Sequence, residues 1–273
     1  MRGRRLAWLL VPGLVLLLAG FLIPSVIMVF APPDTAAAEV FARLAQMLTD
    51  PYDLAIIGRT LGLGLIVTIA CVVLGFPTAY LLARSSSRWS GVLLAIAIFP
   101  LLLSSVVRTF GWLVVLGSQG ALAQALVALG VVSEAPQLLY TPLAIVLGLL
   151  QLFLPLAIVA CYSALAQVDA SLDDAARGLG AGRARTFWTI VVPLSWPGVV
   201  VAATLVFAGS VTAYTTPYLL GGSRQRMLST QLYTYSSTTI DWAAASSIAM
   251  VMTVLVFAVS AISSLIGRKA RVE

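Results

Sequence analysis

The run PLAIVLGLLQLFLPLAIVACYSALA at residues 142–166 decides the fold of this chain, because it is uniformly apolar and has no charged side chain. About 20 apolar residues in a helix cross the hydrocarbon core of a bilayer. Backbone polar groups must be paired inside that core, and a single run of this kind pairs them only as a helix. The sequence therefore predicts a transmembrane helix over residues 142–166.

Five further segments have the same character, which makes six predicted spans. Hydrophobic residues make up 60% of the 273 residues, charged residues only 10%, and the mean hydropathy is +1.04. This composition excludes a soluble globular protein of this size. The segments are also too long for the strands of a membrane barrel. We therefore predict an all-α membrane protein with one transmembrane domain over residues 1–273, whose remaining spans are 7–30, 60–83, 91–116, 194–220 and 243–267.

The basic residues predict the orientation of the chain, since cytoplasmic loops are rich in Arg and Lys. Eleven of the 16 basic residues fall on one predicted side, whereas Arg43, Arg59, Arg224 and Arg226 fall on the other. Both termini are therefore predicted to be cytoplasmic. Because the charges cluster at the ends of spans, the pI of about 9.7 does not indicate a nucleic-acid partner. The predicted cytoplasmic set is Arg2, Arg4, Arg5, Arg84, Arg88, Arg177, Arg183, Arg185, Arg268, Lys269 and Arg271.

Several kinds of chemistry lack the residues that they need. The chain has no His, and Cys71 and Cys161 lie inside apolar segments, so a disulfide, a metal site and His-based catalysis are not expected. The phosphate-binding pattern G-x-x-x-x-G-K-[ST] is also missing from the sequence. No acid lies near the middle of a span, which disfavours the alternative of a secondary transporter or channel. We predict a non-catalytic protein that binds no cofactor and receives its energy from a partner.

The longest predicted cytoplasmic loop, residues 167–193, exceeds what a simple connection requires. It contains VDASLDDAARGLGAGRARTFWTIVVP, in which Asp169 or Ser171 can cap a short helix. The glycines of GLGAG then break this helix. A second short helix is predicted over residues 183–191, ended by Pro193. The predicted product is a helix, a tight turn and a helix on the membrane surface.

This loop carries a spaced motif: Asp174-Ala175-Ala176, three residues, Gly180, nine residues, Ile190, one residue, and Val192-Pro193. The spacing resembles the E-A-A-x3-G-x9-I-x-L-P signature of type I binding-protein-dependent ABC importer permeases. Asp174 replaces the usual Glu and Val192 the usual Leu, and both replacements keep the chemistry. In that family the loop is a coupling helix that docks into a cleft of the ATPase. The resemblance implies that the contact residues here are Asp174, Ala175, Ala176, Gly180, Ala181, Arg183, Ile190 and Pro193.

The resemblance also implies a set of partners and a location. The implied partners are a cytoplasmic ABC ATPase dimer that uses ATP and Mg, a second related permease, and a periplasmic or extracellular solute-binding protein. The chain itself is expected to be a single permease domain, not an enzyme, and to lie in the bacterial inner membrane as a multi-pass protein. One such chain encloses half of a solute pathway.

Four longer motifs are similar to those of the spermidine/putrescine permease branch. This resemblance implies import of polyamines. Relatives with the same layout import phosphonates, opines, iron and other small solutes, so these cargoes stay open as alternatives. The motifs are GFPTAYLLAR at 75–84, FPLLLSSVVRTFGWLVVLGSQGALAQALVALGVV at 99–132, TPYLLGG at 216–222 and DWAAASSIA at 241–249.

Residues near the predicted outer ends of the spans are candidates for the solute pathway. Polyamines carry ammonium groups, which acids and aromatic rings can bind. Glu134 and Asp241 are the candidate acids, with a solvated loop charge as the alternative for each. Trp112, Tyr214 and Tyr218 are the candidate aromatic residues, with anchoring in the membrane interface as the alternative.

Arg108 and two prolines lie inside or at the edge of predicted spans. A charge there must face water, protein or lipid headgroups. Arg108 is expected to reach the headgroups; if it faced a central cavity instead, it would repel polyamines and favour an anionic solute. Pro100 and Pro155 each remove a helix hydrogen bond, which predicts kinks. Close helix packing is predicted at Gly62, Gly64 and Gly148.

Overall fold

The structure is a computed structural model that describes residues 11–30, 35–84, 89–169 and 171–269, and every regular element within these ranges is helical. Packing divides the chain into two compact units. The described residues of unit 1 come from Met1–Ile56 and Thr230–Val254. Those of unit 2 come from Ile57–Ser229 and Leu255–Glu273.

Six helices within the described ranges are long and apolar enough to cross a membrane, which confirms the predicted all-α class and number of spans. The fourth and sixth lie within one residue of their predicted bounds. Residues 7–10 of the first predicted span lie outside the described residues. The six spans are Val11–Met28, Pro51–Arg84, Ser105–Ala128, Pro142–Leu165, Ala184–Thr212 and Trp242–Gly267. The third of them consists of two helices, Ser105–Leu116 and Ala121–Ala128, joined by a turn.

The second span begins at Pro51, nine positions before the predicted start at residue 60. A helix-start signal explains the difference. The Asp50 carboxylate accepts the backbone N–H of Tyr52 at 2.7 Å, and Pro51 has no N–H that the first turn would leave unpaired. The helix therefore starts at its cap and not where the apolar run begins.

The prediction of one continuous third span over 91–116 is wrong, because the chain forms the helices Trp89–Leu102 and Ser105–Leu116 with a break between them. Pro100 has no N–H to donate, and Leu103 donates to the Pro100 carbonyl at 3.3 Å in a tight turn. Ser104 is extended, with ψ of 133°, and its carbonyl accepts the N–H of Arg108 at 3.1 Å. Pro100 itself lies inside the helix Trp89–Leu102, and the interruption follows it at Leu103 and Ser104.

The fifth span begins earlier than predicted, because residues 183–212 are helical without a break. Pro193 therefore does not end a separate loop helix. The π-helical turn Phe187–Val191 ends two positions before Pro193, and the N–H of Val192 donates to the Phe187 carbonyl. Because this turn is wider than an α-helical one, the helix continues although Pro193 has no N–H to donate. As a result, the second half of the loop and the fifth span form one continuous helix.

The fifth span also ends earlier than predicted, at Thr212 and not at residue 220. Ala213 is extended, with ψ of 127°, and a separate short helix, Thr215–Gly221, follows. Pro217 cannot donate a hydrogen bond to the Ala213 carbonyl, which accepts the Ser229 hydroxyl at 2.6 Å instead. A partner from a later segment thus stabilises the break.

The core of unit 2 lies among the second, fourth and fifth spans, where Cys161, Leu165, Val191 and Ala202 are completely buried. Lipid is as apolar as these side chains, so close contact and not the hydrophobic effect holds such helices together. A Cβ added at Gly148 would lie 2.5 Å from Thr216 Cγ2, which confirms close approach at this glycine. Cys71 and Cys161 are unpaired and buried, as predicted.

Unit 1 combines the first span, the helix Ala37–Met47 and the start of the sixth span. Two serines of the sixth span bind backbone carbonyls within this unit. Ser246 Oγ donates to the Met28 carbonyl at 2.6 Å, and Ser247 Oγ donates to the Val40 carbonyl at 2.8 Å. These two hydrogen bonds hold the sixth span against the first span and the helix Ala37–Met47, in addition to apolar packing.

Candidate functional site

The motif loop, residues 167–193, contains a capped helix over Ser171–Gly178. The Asp169 carboxylate accepts the N–H of Ser171 at 2.9 Å, as the capping prediction required. This backbone hydrogen bond lowers the pKa of Asp169, with smaller contributions from the Ser171 side chain and the charge of Arg84. Arg84 also donates to the Val168 carbonyl at 3.0 Å, which ties the end of the second span to the loop.

The far end of this helix explains the spacing of the motif. Gly180 has φ of +85°, a left-handed conformation that L residues adopt at a cost of about 1–2 kcal/mol. The N–H of Ala181 reaches back to the Ala176 carbonyl at 3.0 Å, and the N–H of Leu179 donates to the Ala175 carbonyl at 3.1 Å. The Ala181–Ala176 bond is the 6→1 bond of a Schellman cap, in which a left-handed residue follows the last turn, whereas the Leu179–Ala175 bond belongs to the helix itself. Gly180 therefore sets where the chain reverses.

The cap leaves apolar side chains on the surface of the motif loop. Leu179 is 90% exposed and Trp188 is 67% exposed, and Leu172 is exposed as well. Ala175 is exposed, whereas Ala176 is buried. A large apolar side chain that is exposed at a turn between helices, as Leu179 is, is a candidate contact for another protein. The side chains of Asp174 and Arg183, which the sequence placed in this contact, lie outside the described residues.

The second half of the motif loop is anchored to the second span by an aromatic contact. The Phe187 ring lies 5.0 Å from the Tyr80 ring in an edge-to-face arrangement and 5.7 Å from the Phe76 ring. Ile190 is half-buried and Pro193 is exposed. A displacement of the motif loop would therefore move the fifth span directly and the second span through Phe187. The sequence analysis did not identify Phe187 as a contact of the second span.

Two pairs of polar side chains lie between helices of unit 2, and together we call them the polar cluster: Trp112 with Gln151, and Thr109 with Thr216. The indole N–H of Trp112 donates to the Oε1 of Gln151. The Thr109 and Thr216 hydroxyls, both buried, are 3.3 Å apart. Sequence reasoning proposed Trp112 but missed Gln151, although a lone amide in an otherwise apolar span was an available signal.

Arg108 lies one turn before Trp112 on the same helix. Its Nη1 is buried and has no hydrogen-bond partner among the residues that the structure describes. A buried guanidinium nitrogen of this kind normally binds an acceptor. Arg108 thus turns one guanidinium nitrogen into the protein, and the expectation that its side chain reaches the headgroups stays a prediction.

The other predicted pathway residues in unit 2 lie near the short helix that follows the fifth span or in a loop. The rings of Tyr214 and Tyr218 are 5.1 Å apart and inclined by 31°. They flank Thr216 in sequence, on the helix that packs against the third and fourth spans. Glu134 is exposed. The structure thus brings the tyrosines to the helix that carries Thr216.

Asp241 belongs to unit 1 and is engaged in structural contacts. Its Oδ1 accepts the N–H of Ala244 at 3.0 Å, which caps the sixth span. Its Oδ2 lies 3.3 Å from the Arg43 Nη2 in an ion pair. The helix cap and the ion pair account for an acid at this position without a role in solute binding. Asp241 forms the cap that the sequence analysis did not consider.

A cleft of roughly 160 Å³ also lies within unit 1. Its lining combines acids and aromatic rings, which attract a cation, with the guanidinium of Arg43, which repels one. Asp50 already accepts a backbone hydrogen bond as a helix cap. No group of three metal-ligating side chains occurs in the described ranges. The lining includes Gln46, Asp50, Tyr52, Asp53 and Tyr235.

Comparisons with known proteins agree on one family of transport proteins. The model of the family "binding-protein-dependent transport system inner membrane component" matches residues 72–272. The spermidine/putrescine transport system permease protein PotB of Escherichia coli (strain K12) is 31% identical over 230 residues, covering 83% of this chain and 84% of the relative. The molybdenum transport system permease protein ModB of Azotobacter vinelandii is 32% identical over 185 residues, covering 67% and 80%.

A solved structure shares the fold. It is a chain of a bacterial alginate ABC transporter, crystallised with an alginate pentasaccharide-bound periplasmic protein. The TM-score is 0.80 at 14% sequence identity, over 98% of this chain and 95% of that chain. At this identity the likeness establishes the fold alone.

Proposed function

The chain belongs to the family of inner membrane components of binding-protein-dependent transport systems, and on this premise we propose that it forms half of the pathway of an ATP-driven polyamine importer. It is a multi-pass inner-membrane permease subunit of an ABC importer. The proposal adds its energy source, its partners and its cargo.

The observation that carries the energy source is the Schellman cap at Gly180. The cap places Leu179 at the tip of the motif loop, and the loop continues without a break into the fifth span. A helix end with exposed apolar side chains suits a hydrophobic groove on another protein. The proposed occupant is a cytoplasmic ABC ATPase dimer, which binds ATP and Mg itself. The proposed contact residues are Asp174, Ala175, Ala176, Gly180, Ala181, Arg183, Ile190 and Pro193.

Two further partners complete the proposed complex. A second, related permease forms the other half of the pathway, and an external binding protein delivers the solute. The alternating closure of the ATPase dimer moves the motif loops, and the attached spans open and close the pathway. This chain contributes no catalysis and binds no cofactor.

The polyamine cargo is supported by the relatives named for spermidine and putrescine transport. The paired rings of Tyr214 and Tyr218 and the ring of Trp112 provide faces that bind ammonium groups. Glu134 is exposed and stays a candidate first contact for a cation. Asp241 is a weaker candidate, because a cap and an ion pair already use its oxygens.

A second cargo class, a small oxyanion, is favoured by one specific observation. The Arg108 Nη1 is buried without a hydrogen-bond partner in the described residues, and an oxyanion would supply acceptors. The molybdenum permease among the relatives belongs to this alternative. A polyamine, in contrast, would be repelled by an uncompensated guanidinium.

The test is ATP hydrolysis by the complete transporter in proteoliposomes. Its binding protein would be loaded in turn with spermidine, putrescine, an aminoalkylphosphonate, molybdate or no solute. The polyamine proposal predicts stimulation by spermidine or putrescine alone. Stimulation only by an anionic solute would overturn the polyamine cargo and keep the ATP-driven importer. Absence of stimulation by every solute, with an intact complex, would contradict the ATP-driven proposal for these cargoes.

A further inference from the structure

We propose that Gln151, oriented by Trp112, lines a water-filled pathway inside the membrane and accepts a hydrogen bond from an amine of the transported solute. This inference rests on the proposed function, because it names one contact between the importer and its cargo. It concerns a residue to which the family motif assigns no role.

The position of Gln151 gives the first argument. It lies near the middle of the fourth span, Pro142–Leu165, and its side chain is exposed. All its neighbours over residues 144–150 and 152–162 are buried or half-buried. An exposed amide facing hydrocarbon would leave polar groups unpaired at a cost of several kcal/mol. A polar partner therefore faces this side chain, and the proposal assigns that partner to a hydrated pathway.

The hydrogen bond from Trp112 gives the second argument. An indole N–H is only a donor, so the oxygen of the amide must point toward Trp112. After accepting this bond, the Oε1 of Gln151 keeps one lone pair. That lone pair can accept an ammonium N–H, and the Trp112 ring beside it offers a π face. The pair thus presents the two features that an amine requires.

The surroundings of the pair give the third argument. The helices that carry Trp112 and Gln151 both pack against the helix of Thr216. The Thr109 and Thr216 hydroxyls meet there at 3.3 Å. Polar atoms thus lie where these three helices pack together. Other exposed positions on the spans carry apolar side chains, as at Ile69 and Val201, or hydroxyls that bond within their own helix, as at Thr78 and Thr253. This difference favours a pathway over a lipid-facing surface.

The experiment measures water access at Gln151 in proteoliposomes that contain the complete transporter. Gln151→Cys would be labelled with a water-soluble ethylammonium methanethiosulfonate, and modification of this chain would be read by mass. The wild type serves as the blank, since Cys71 and Cys161 are completely buried. Ile69→Cys and Val201→Cys provide exposed apolar controls within spans. Leu147→Cys, one turn earlier on the same face, is a second reporter if Gln151→Cys fails to assemble.

Labelling requires a hydrated thiolate, so position 151 or 147 should react at least about tenfold faster than both controls. Reaction no faster than at the controls would overturn the pathway, because the face would then contact lipid or the second permease. Spermidine-loaded binding protein should slow labelling at position 151 severalfold. Protection only by molybdate or an aminoalkylphosphonate, or by no solute, would overturn the amine contact.

The same proteoliposomes separate failure of this inference from failure of the proposed function. ATP hydrolysis stimulated by polyamine reports the function, whereas labelling at position 151 reports the pathway. Stimulation without labelling would leave the polyamine importer intact and overturn the pathway at Gln151. Labelling without stimulation would support the pathway and overturn the polyamine cargo.

Discussion

The motif loop and the polar cluster both belong to unit 2, but they are built in opposite ways. In the motif loop, the decisive contact joins Ala181 to Ala176, and Gly180 between them supplies the left-handed turn. In the polar cluster, Trp112 and Gln151 are 39 positions apart, and Thr109 and Thr216 are 107 positions apart. A local contact leaves a spacing that can be recognised in sequence. A contact made by helix packing leaves none.

We infer that this difference in construction accompanies a difference in role, in which the motif loop receives energy and the polar cluster contacts solute. The largest expected effect concerns the anchor of the motif loop. Phe187→Ala removes the ring that contacts Phe76 and Tyr80, and should lower the stability of unit 2 by about 2–4 kcal/mol. Thermal unfolding of the permease in detergent measures this change.

The neighbouring Trp188 is the matched control, because its side chain is 67% exposed. Trp188→Ala should change stability by less than about 1 kcal/mol and weaken copurification with the ATPase. Equal destabilisation by both substitutions would show that Phe187 does not anchor the loop.

The next effect concerns the cap. Gly180→Val places a β-branched side chain at φ of +85°, where strain of about 1–2 kcal/mol or more should depopulate the cap. Solute-stimulated ATP hydrolysis should then fall roughly tenfold, because 1.4 kcal/mol corresponds to a factor of ten. Gly182→Ala is the control, since a Cβ there meets no atom within 4 Å. If both variants hydrolysed ATP at the wild-type rate, the cap would not be needed for coupling.

A smaller effect concerns the polar cluster. Trp112→Phe keeps the ring and removes the N–H that binds Gln151. Combined with Gln151→Leu in a double-mutant cycle, it should show a coupling of about 0.6–1.7 kcal/mol, the range for hydrogen bonds between membrane helices. Thermal unfolding of the permease in detergent provides the measurement, because this coupling is a contribution to stability. Strictly additive effects would mean that the two side chains act independently.

The smallest effect is the pH dependence of the loop helix. The pKa of Asp169 is lowered in the folded loop, so its capping contribution is present above the unfolded pKa. It is lost as the pH falls through the folded pKa, which lies below the ordinary value of an aspartate. The protection factor for hydrogen exchange over residues 171–179, which removes the intrinsic pH dependence of amide exchange, should therefore stay constant between about pH 7 and 5 and fall at lower pH. Asp169→Asn should remove this pH dependence; an unchanged profile would contradict the assigned cap.

The spans that the sequence predicted well are those in which hydropathy and local signals agree. Residues 142–166 are almost entirely apolar, with Gln151 as the main exception, and they end within one residue of the helix end. The second span was misjudged because Asp50 and Pro51 start the helix before the apolar run begins. Its polar first turns carry no hydropathy signal. A capping pattern therefore predicts that boundary better than apolar length.

The helix breaks were unpredictable for a different reason. Ala213 ends the fifth span partly because the Ser229 hydroxyl satisfies its carbonyl, and Ser229 is 16 positions away. Gln151 was missed likewise, since its meaning depends on Trp112 from another helix. Gly180, in contrast, was predicted from the family spacing, and its positive φ gives the physical reason for that spacing. Features set by neighbouring residues could therefore be predicted from the sequence, whereas features set by the packing of separate helices could not.

The division of roles is tested most directly by the ratio of solute imported to ATP hydrolysed in proteoliposomes. Gly180→Val acts on energy input, so it should lower both rates in the same proportion and leave the ratio unchanged. Gln151→Leu acts on the pathway, so it should lower uptake severalfold more than hydrolysis and reduce the ratio. The opposite pattern, a reduced ratio for Gly180→Val and an unchanged ratio for Gln151→Leu, would contradict the account.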